Sequence, residues 1–181
     1  SPGTDTDHGL PSAIKLDTGA ADFSVRGCIV ENLWGLEQGR GYGVLVGEVD
    51  AGVIDGNVFR GAVGRGRHAV YLSAGATSNK VTNNHVSAFQ RDGITVFSQG
   101  VQPASTDNII DRNTLVDCID DLDSPADGPK FGAISLSGRV SRNRVTNNII
   151  LRSAGCGVRL HGTAKTGELI DLGSKVGIVE K

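Results

Sequence analysis

A four-residue pattern recurs along the chain: a small residue, an apolar one, a variable one and a second apolar one. It reads Ala13-Ile14-Lys15-Leu16, Gly43-Val44-Leu45-Val46, Ala69-Val70-Tyr71-Leu72, Gly93-Ile94-Thr95-Val96, Ala133-Ile134-Ser135-Leu136 and Gly157-Val158-Arg159-Leu160. The small residues are spaced by 30, 26, 24, 40 and 24 positions. Alternation over four positions marks a strand with one face buried. A basal period near 24 with insertions is the signature of a solenoid.

A second motif follows the first five copies. It runs Val25-Arg26-Gly27-Cys28-Ile29-Val30, Ile54-Asp55-Gly56-Asn57-Val58-Phe59, Val81-Thr82-Asn83-Asn84-His85-Val86, Ile110-Asp111-Arg112-Asn113-Thr114-Leu115 and Val145-Thr146-Asn147-Asn148-Ile149-Ile150. Two or three short strands per repeat, separated by Gly or Asn, cannot bury a face alone. Stacked coil on coil at ~4.8 Å, they form continuous interior columns and a rod ~25–30 Å long over about six coils. Ile14, Val44, Val70, Ile94, Ile134 and Val158 make one such column, and Leu16, Val46, Leu72, Val96, Leu136 and Leu160 the next. Asn57, Asn84, Asn113 and Asn148 share one corner, with Cys28 in the same place in the first coil. Asn tolerates left-handed backbone, and stacked amides bond along the axis, so their expected role is structural. The expected architecture is all-β, a right-handed parallel β-helix.

Composition narrows the function classes. The 181 residues make one domain, 1–181, with the repeat over about 11–172 and an insertion at 97–130. With 38% hydrophobic residues and a net charge of -2, the chain lies outside the disordered class, and its scattered charges carry no nucleic-acid footprint. Apolar runs such as Asn148 to Leu151 are too short to span a bilayer, so neither nucleic acid nor membrane is an expected partner. Gly reaches 26 residues and aromatics only 4%, which suits tight corners around a thin aliphatic core. Cys28, Cys118 and Cys156 fall inside the repeat without paired spacing, so each is expected to be a small buried thiol.

The small-Φ-x-Φ strand followed by Φ-x-x-Asn-x-Φ resembles the repeat of pectate-lyase-like right-handed β-helices, over Pro11 to Leu172. That superfamily contains polysaccharide lyases, hydrolases and epimerases, fructan-transforming enzymes and phage tailspikes. The resemblance implies a polysaccharide partner and an extracellular, secreted or virion-surface setting. It also implies ends that something must cover, because open coil ends are free sheet edges. No amphipathic capping helix opens the chain, and Gly173 stands where the last coil should carry Asn. The remainder of a larger chain, or partner subunits in a homotrimer, would supply the covers.

Function on a filled solenoid must lie outside, on a face or in the longer loops. Tyr42, His68 and Asp92 stand at the start of the first strand in successive coils, with Arg67 and Arg91 just before them and Tyr71 just after. His68 is expected as a solvated strand-edge histidine in the bland reading and as an acid–base group in the functional one. Arg159 lies on the same outward row as Tyr71, and Trp34 and Lys130 lie in the two loops. Trp34, Tyr42, Arg67, Lys130 and Arg159 are thus the candidate substrate-binding residues. His68, Tyr71, Asp92, Arg91, Asp117 and Asp120 are the candidate catalytic ones. Asp120, Asp121 and Asp123 read first as a solvated loop and second as a Ca²⁺ site, without EF-hand spacing.

These parts support an enzyme acting on a polysaccharide. On a uronan, Arg67 or Arg91 would neutralise the carboxylate while His68 or Tyr71 removes the C5 proton, in elimination or epimerisation. On a neutral glycan, Asp92 would face Asp117 or Asp120 at ~5–9 Å as an acid–base pair. The alternative is a non-catalytic tailspike, fibre or adhesin segment that binds glycan or serves as a rigid stalk. A third reading makes Leu45, Phe97 and Trp34 an exposed apolar patch for a protein partner.

Overall fold

The computed structural model describes residues 12–33, 41–61, 66–118, 132–153, 155–161, 169–170 and 175–177. Each turn of the chain contributes one strand to each of three parallel six-stranded sheets. The first sheet stacks β1 (Ser12–Leu16), β4 (Gly41–Gly47), β7 (Gly66–Ser73), β10 (Ile94–Ser98), β14 (Gly132–Gly138) and β18 (Cys156–His161). The second stacks β2 (Ser24–Arg26), β5 (Val53–Asp55), β8 (Lys80–Thr82), β12 (Ile109–Asp111), β16 (Arg144–Thr146) and β19 (Leu169–Ile170). The third stacks β3 (Ile29–Leu33), β6 (Val58–Gly61), β9 (His85–Ser87), β13 (Thr114–Val116), β17 (Ile149–Leu151) and β20 (Lys175–Gly177). A short pair, β11 (Ser105–Thr106) with β15 (Val140–Ser141), bridges the fourth and fifth coils.

The sequence columns are the observed registers. Ile14 pairs with Val44, Val44 with Val70, Val70 with Ile94, Ile94 with Ile134 and Ile134 with Val158. In the middle coils both columns are fully buried, and each such aliphatic side chain contributes about 1.5–3 kcal/mol of transfer free energy. Ile14 and Val158, in the end coils, are only partly buried, and Leu160 is 46% exposed.

The small column has a steric cause. A Cβ on Gly43 would fall 2.4 Å from the Ala69 carbonyl oxygen and 2.8 Å from the Phe59 ring. Phe59, fully buried, fills from the third sheet the space that Gly43 leaves open. Gly43→Ala is therefore expected to destabilise by about 1–3 kcal/mol, read as a lower urea midpoint. Phe59→Leu in the same background should recover part of the loss, and no loss in the single variant would show that the coil expands freely.

The Asn corner is a ladder. Asn84 Oδ1 accepts both the main-chain N–H and the side-chain amide of Asn57, and Asn113 does the same for Asn84. Asn57 Oδ1 accepts the Cys28 N–H, so the ladder ends at Cys28. The left-handed residue is not the ladder Asn, as expected from sequence, but the one before it: Gly27, Gly56, Asn83, Arg112 and Asn147. The chain turns there, and the next side chain is thereby aimed inward to bond the backbone of its neighbours. A second ladder, which the sequence reading missed, runs Asn79–Asn108–Asn143 and begins at the Gly52 N–H. Its residues stand five positions before Asn84, Asn113 and Asn148, a repeat offset that was available to find it.

Two further expectations change. The 97–130 insertion shrinks, because Ser105–Thr106, Ile109–Asp111 and Thr114–Val116 are regular strands. Among the described residues the departure from the coil is a turn at 99–104, held by Arg139 donating to the Gly100 and Gln102 carbonyls; 119–131 lie outside the described residues. Of the thiols, Cys118 is buried but Cys28 is only half-buried and Cys156 exposed, because Cys156 opens the outermost strand of the first sheet.

Candidate functional site

The outer face of the first sheet carries a cleft of about 290 Å³. Its floor is built by register. Tyr42 pairs with His68, while Leu45, Tyr71, Thr95, Ser135 and Arg159 follow one another along the next outward row. Of the sequence candidates, the structure brings together Tyr42, Arg67, His68, Tyr71, Arg91, Asp92 and Arg159. Phe97, expected from sequence in an apolar patch, also lines the cleft, and Thr95, Gln99, Ser135 and Ser137 complete the lining without having been singled out. Thr95, Ser135 and Ser137 sit on the same outward rows, so the period located them, but nothing in a lone hydroxyl residue marks it as functional. Trp34, Asp120, Asp121, Asp123 and Lys130 lie outside the described residues.

Asp117 is not part of the cleft. It occupies a left-handed corner after β13 and forms a two-pronged ion pair with Arg152 of the next coil, both bonds at 2.7 Å. The expected Asp92–Asp117 acid–base pair is therefore absent. The sequence placed Asp117 in a loop, but the regular coil continues through it to its corner.

His68 is not the solvated strand-edge residue expected from sequence. It is 4% exposed, and Tyr42 and Asp92 are 2% and 4%. Although these side chains point outward, they cover one another. Tyr42, His68, Tyr71 and Phe97 form a run of rings with centroids 5.2–6.2 Å apart, and His68 stacks on Tyr71. Leu45 is likewise 3% exposed rather than part of an open apolar patch, flanked in its row by Lys15 and Tyr71.

Electrostatics follow from that burial. Desolvation, aided by the Arg67 and Arg91 guanidiniums, holds the His68 imidazole well below its usual 6.5, so it is neutral. The 3.7 Å approach of its Nδ1 to Asp92 Oδ2 is accordingly not an ion pair. Burial pushes Asp92 up to about 6, against the opposing pull of the Gly132 N–H, the Thr95 hydroxyl, Arg159 and Arg91. His68 Nδ1 lies 3.0 Å from the Asp92 carbonyl oxygen and 3.1 Å from Thr95 Oγ1. Thr95 in turn donates to Asp92 Oδ2 at 3.0 Å, and the Gly132 N–H donates to Asp92 Oδ1 at 2.7 Å. Arg67 Nη1 donates to the Tyr42 hydroxyl at 3.1 Å. Among the described residues the lining thus holds three guanidiniums against one carboxylate, with a neutral imidazole between aromatic rings. Among the described residues no three His, Cys, Asp or Glu side chains gather as a metal site.

Parallel coils, stacked apolar columns and Asn ladders define a β-helix with a polar cleft on one face. The chain belongs to the right-handed β-helix family, whose family model, "Right handed beta helix region", matches residues 12–171. No curated protein and no solved structure matches it significantly.

Proposed function

We propose that the cleft binds an acidic polysaccharide and cleaves it by β-elimination, with His68 as the base. The observation that carries this reading is a neutral, buried imidazole that shares the cleft, among the described residues, with three arginines and one carboxylate whose two oxygens are already engaged. A carbonyl oxygen only accepts, so Nδ1 carries the ring proton and Nε2 the lone pair. Nε2 takes the C5 proton of a uronate, and an arginine beside the uronate carboxylate stabilises the charge that develops. The electron pair left at C5 forms the C4–C5 double bond as the C4–O bond breaks, and Tyr71, stacked on His68, returns a proton to the departing oxygen. Epimerisation shares the first step and differs in returning a proton to C5.

Hydrolysis of a neutral glycan is less well supported. It needs two carboxylates facing the bond, and among the described lining residues only Asp92 is one. The polysaccharide reading carries with it a setting outside the cell or on a virion surface.

Incubation with a panel of acidic and neutral polysaccharides, with and without calcium, tests the proposal. Unsaturated uronate ends released from an acidic member are expected. Reducing ends from a neutral member alone would replace elimination by hydrolysis. Binding without product would make the protein a glycan-binding tailspike, fibre or adhesin segment.

A further inference from the structure

Asp92 looks from sequence like an acid or a base, yet both of its carboxylate oxygens are committed within the protein. We propose that Asp92 and Thr95 are positioning residues that lock His68 in the Nδ1–H tautomer and so leave Nε2 as the reactive nitrogen. The word "reactive" rests on the elimination reading; the tautomer lock does not.

Three coils meet at this point. His68 belongs to the third coil, Asp92 and Thr95 to the fourth and Gly132 to the fifth. Asp92 precedes Gly93, which has no side chain to brace the peptide between them. The carboxylate braces it instead. Oδ1 reaches up to the Gly132 N–H and Oδ2 turns back to the Thr95 hydroxyl, which fixes residue 92 with its carbonyl towards the imidazole.

The direction of the relay is set by proton inventory. A carboxylate has no proton to offer, so the Thr95 hydroxyl must donate to Asp92. Its oxygen then faces His68 only as an acceptor. The imidazole therefore meets two acceptors at Nδ1, the Asp92 carbonyl and Thr95 Oγ1, and must place its proton there. The remaining groups around the pair do not compete for that role. Arg67, Arg91 and Arg159 only donate, and burial pushes the Cys118 thiol up to about 12.

An uncharged Asp92 reverses the relay. A protonated acid or an amide at this position can donate to Thr95, whose own proton then turns towards Nδ1 and opposes the Nδ1–H form. With Asp92 titrating at about 6, the wild-type protein should undergo this change as pH falls through that value.

Nitrogen NMR of the four imidazoles, with His68 assigned by its loss in His68→Gln, reads the tautomer directly and requires no turnover. Wild type and Thr95→Ser should show a single Nδ1–H form at neutral pH. Thr95→Val, which keeps the side-chain shape, and Asp92→Asn should show mixed tautomers. On a cleaved substrate both should lose about tenfold or more in kcat with KM little changed, and Thr95→Ser should restore it. If Asp92→Asn does not fold, the Val and Ser pair at position 95 decides. An Nε2–H form in wild type, or an undisturbed Nδ1–H form in Thr95→Val, would overturn the lock. A correct tautomer in a protein that cleaves no polysaccharide would instead count against the elimination reading alone.

Discussion

Replacing His68 with Gln is expected to reduce turnover on the polysaccharide by about 10²–10⁴-fold, the range for losing a general base, while the coil remains folded. Gln is an uncharged side chain of similar length whose amide can still hydrogen-bond within the cleft. It has no basic nitrogen to take a proton from substrate. Stepwise pH titration separates this role from a structural one. The folded His68 titrates well below 6.5, so the unfolded chain takes up its proton first as pH drops. His68 thus contributes stability that is intact above 6.5 and lost as pH falls towards its folded value. Asp92 runs the other way: its folded pKa is raised to about 6, so its contribution is full below 3.8 and lost as pH rises through 6. In His68→Gln the first contribution disappears, and urea midpoints should fall less between neutral and mildly acidic pH than in wild type. An equal fall in both proteins would contradict the buried, neutral imidazole.

The second large effect concerns stability alone. Asn113→Leu should lower unfolding free energy by about 3–5 kcal/mol, a sizeable share of the 5–15 typical of a domain. Asn113 is 1% exposed. Its Oδ1 accepts the Asn84 main-chain and side-chain N–H groups, both at 3.0 Å, and its amide donates to the Val81 carbonyl at 2.9 Å and to Asn148 Oδ1 at 3.0 Å. Leu fills similar space but leaves these buried partners orphaned, at about 1–3 kcal/mol for each that finds no water. The contrasting control is Arg152→Ala. That change removes an exposed, solvent-screened ion pair with Asp117 and should leave the urea midpoint nearly unchanged. Similar midpoints for the two variants would show that the ladder does not carry the corner.

The fold was legible because its information is periodic. Once the small-Φ-x-Φ pattern set the coil length, the partner of each residue followed by counting, and the registers Ile94↔Ile134 and Thr95↔Tyr71 are those the pattern predicts. The same counting brought Tyr42, His68, Tyr71, Asp92 and Arg159 to one face from separate coils. It failed at Asp117, which an unequal spacing made look like part of a loop. It also passed over the Asn79–Asn108–Asn143 ladder, whose positions the period already contained.

What the amino-acid order determined by itself is the coil, its parallel stacking and the rows that face outward, because period-two alternation allows one burial pattern once coils are stacked. What tertiary structure decided is the state of the groups on those rows. Whether an outward histidine is wet or dry depends on the rings that close over it from its own strand and from the coil before. Whether an aspartate is an acid or a brace depends on which N–H and hydroxyl reach its oxygens. Tyr42 of the preceding coil joins Tyr71 of the same strand in closing over His68, and Gly132, 40 residues from Asp92 in sequence, joins the nearby Thr95 in engaging its carboxylate. Burial and hydrogen-bond partners shift a titrating group through its surroundings rather than its identity, so only the assembled coils fix its charge.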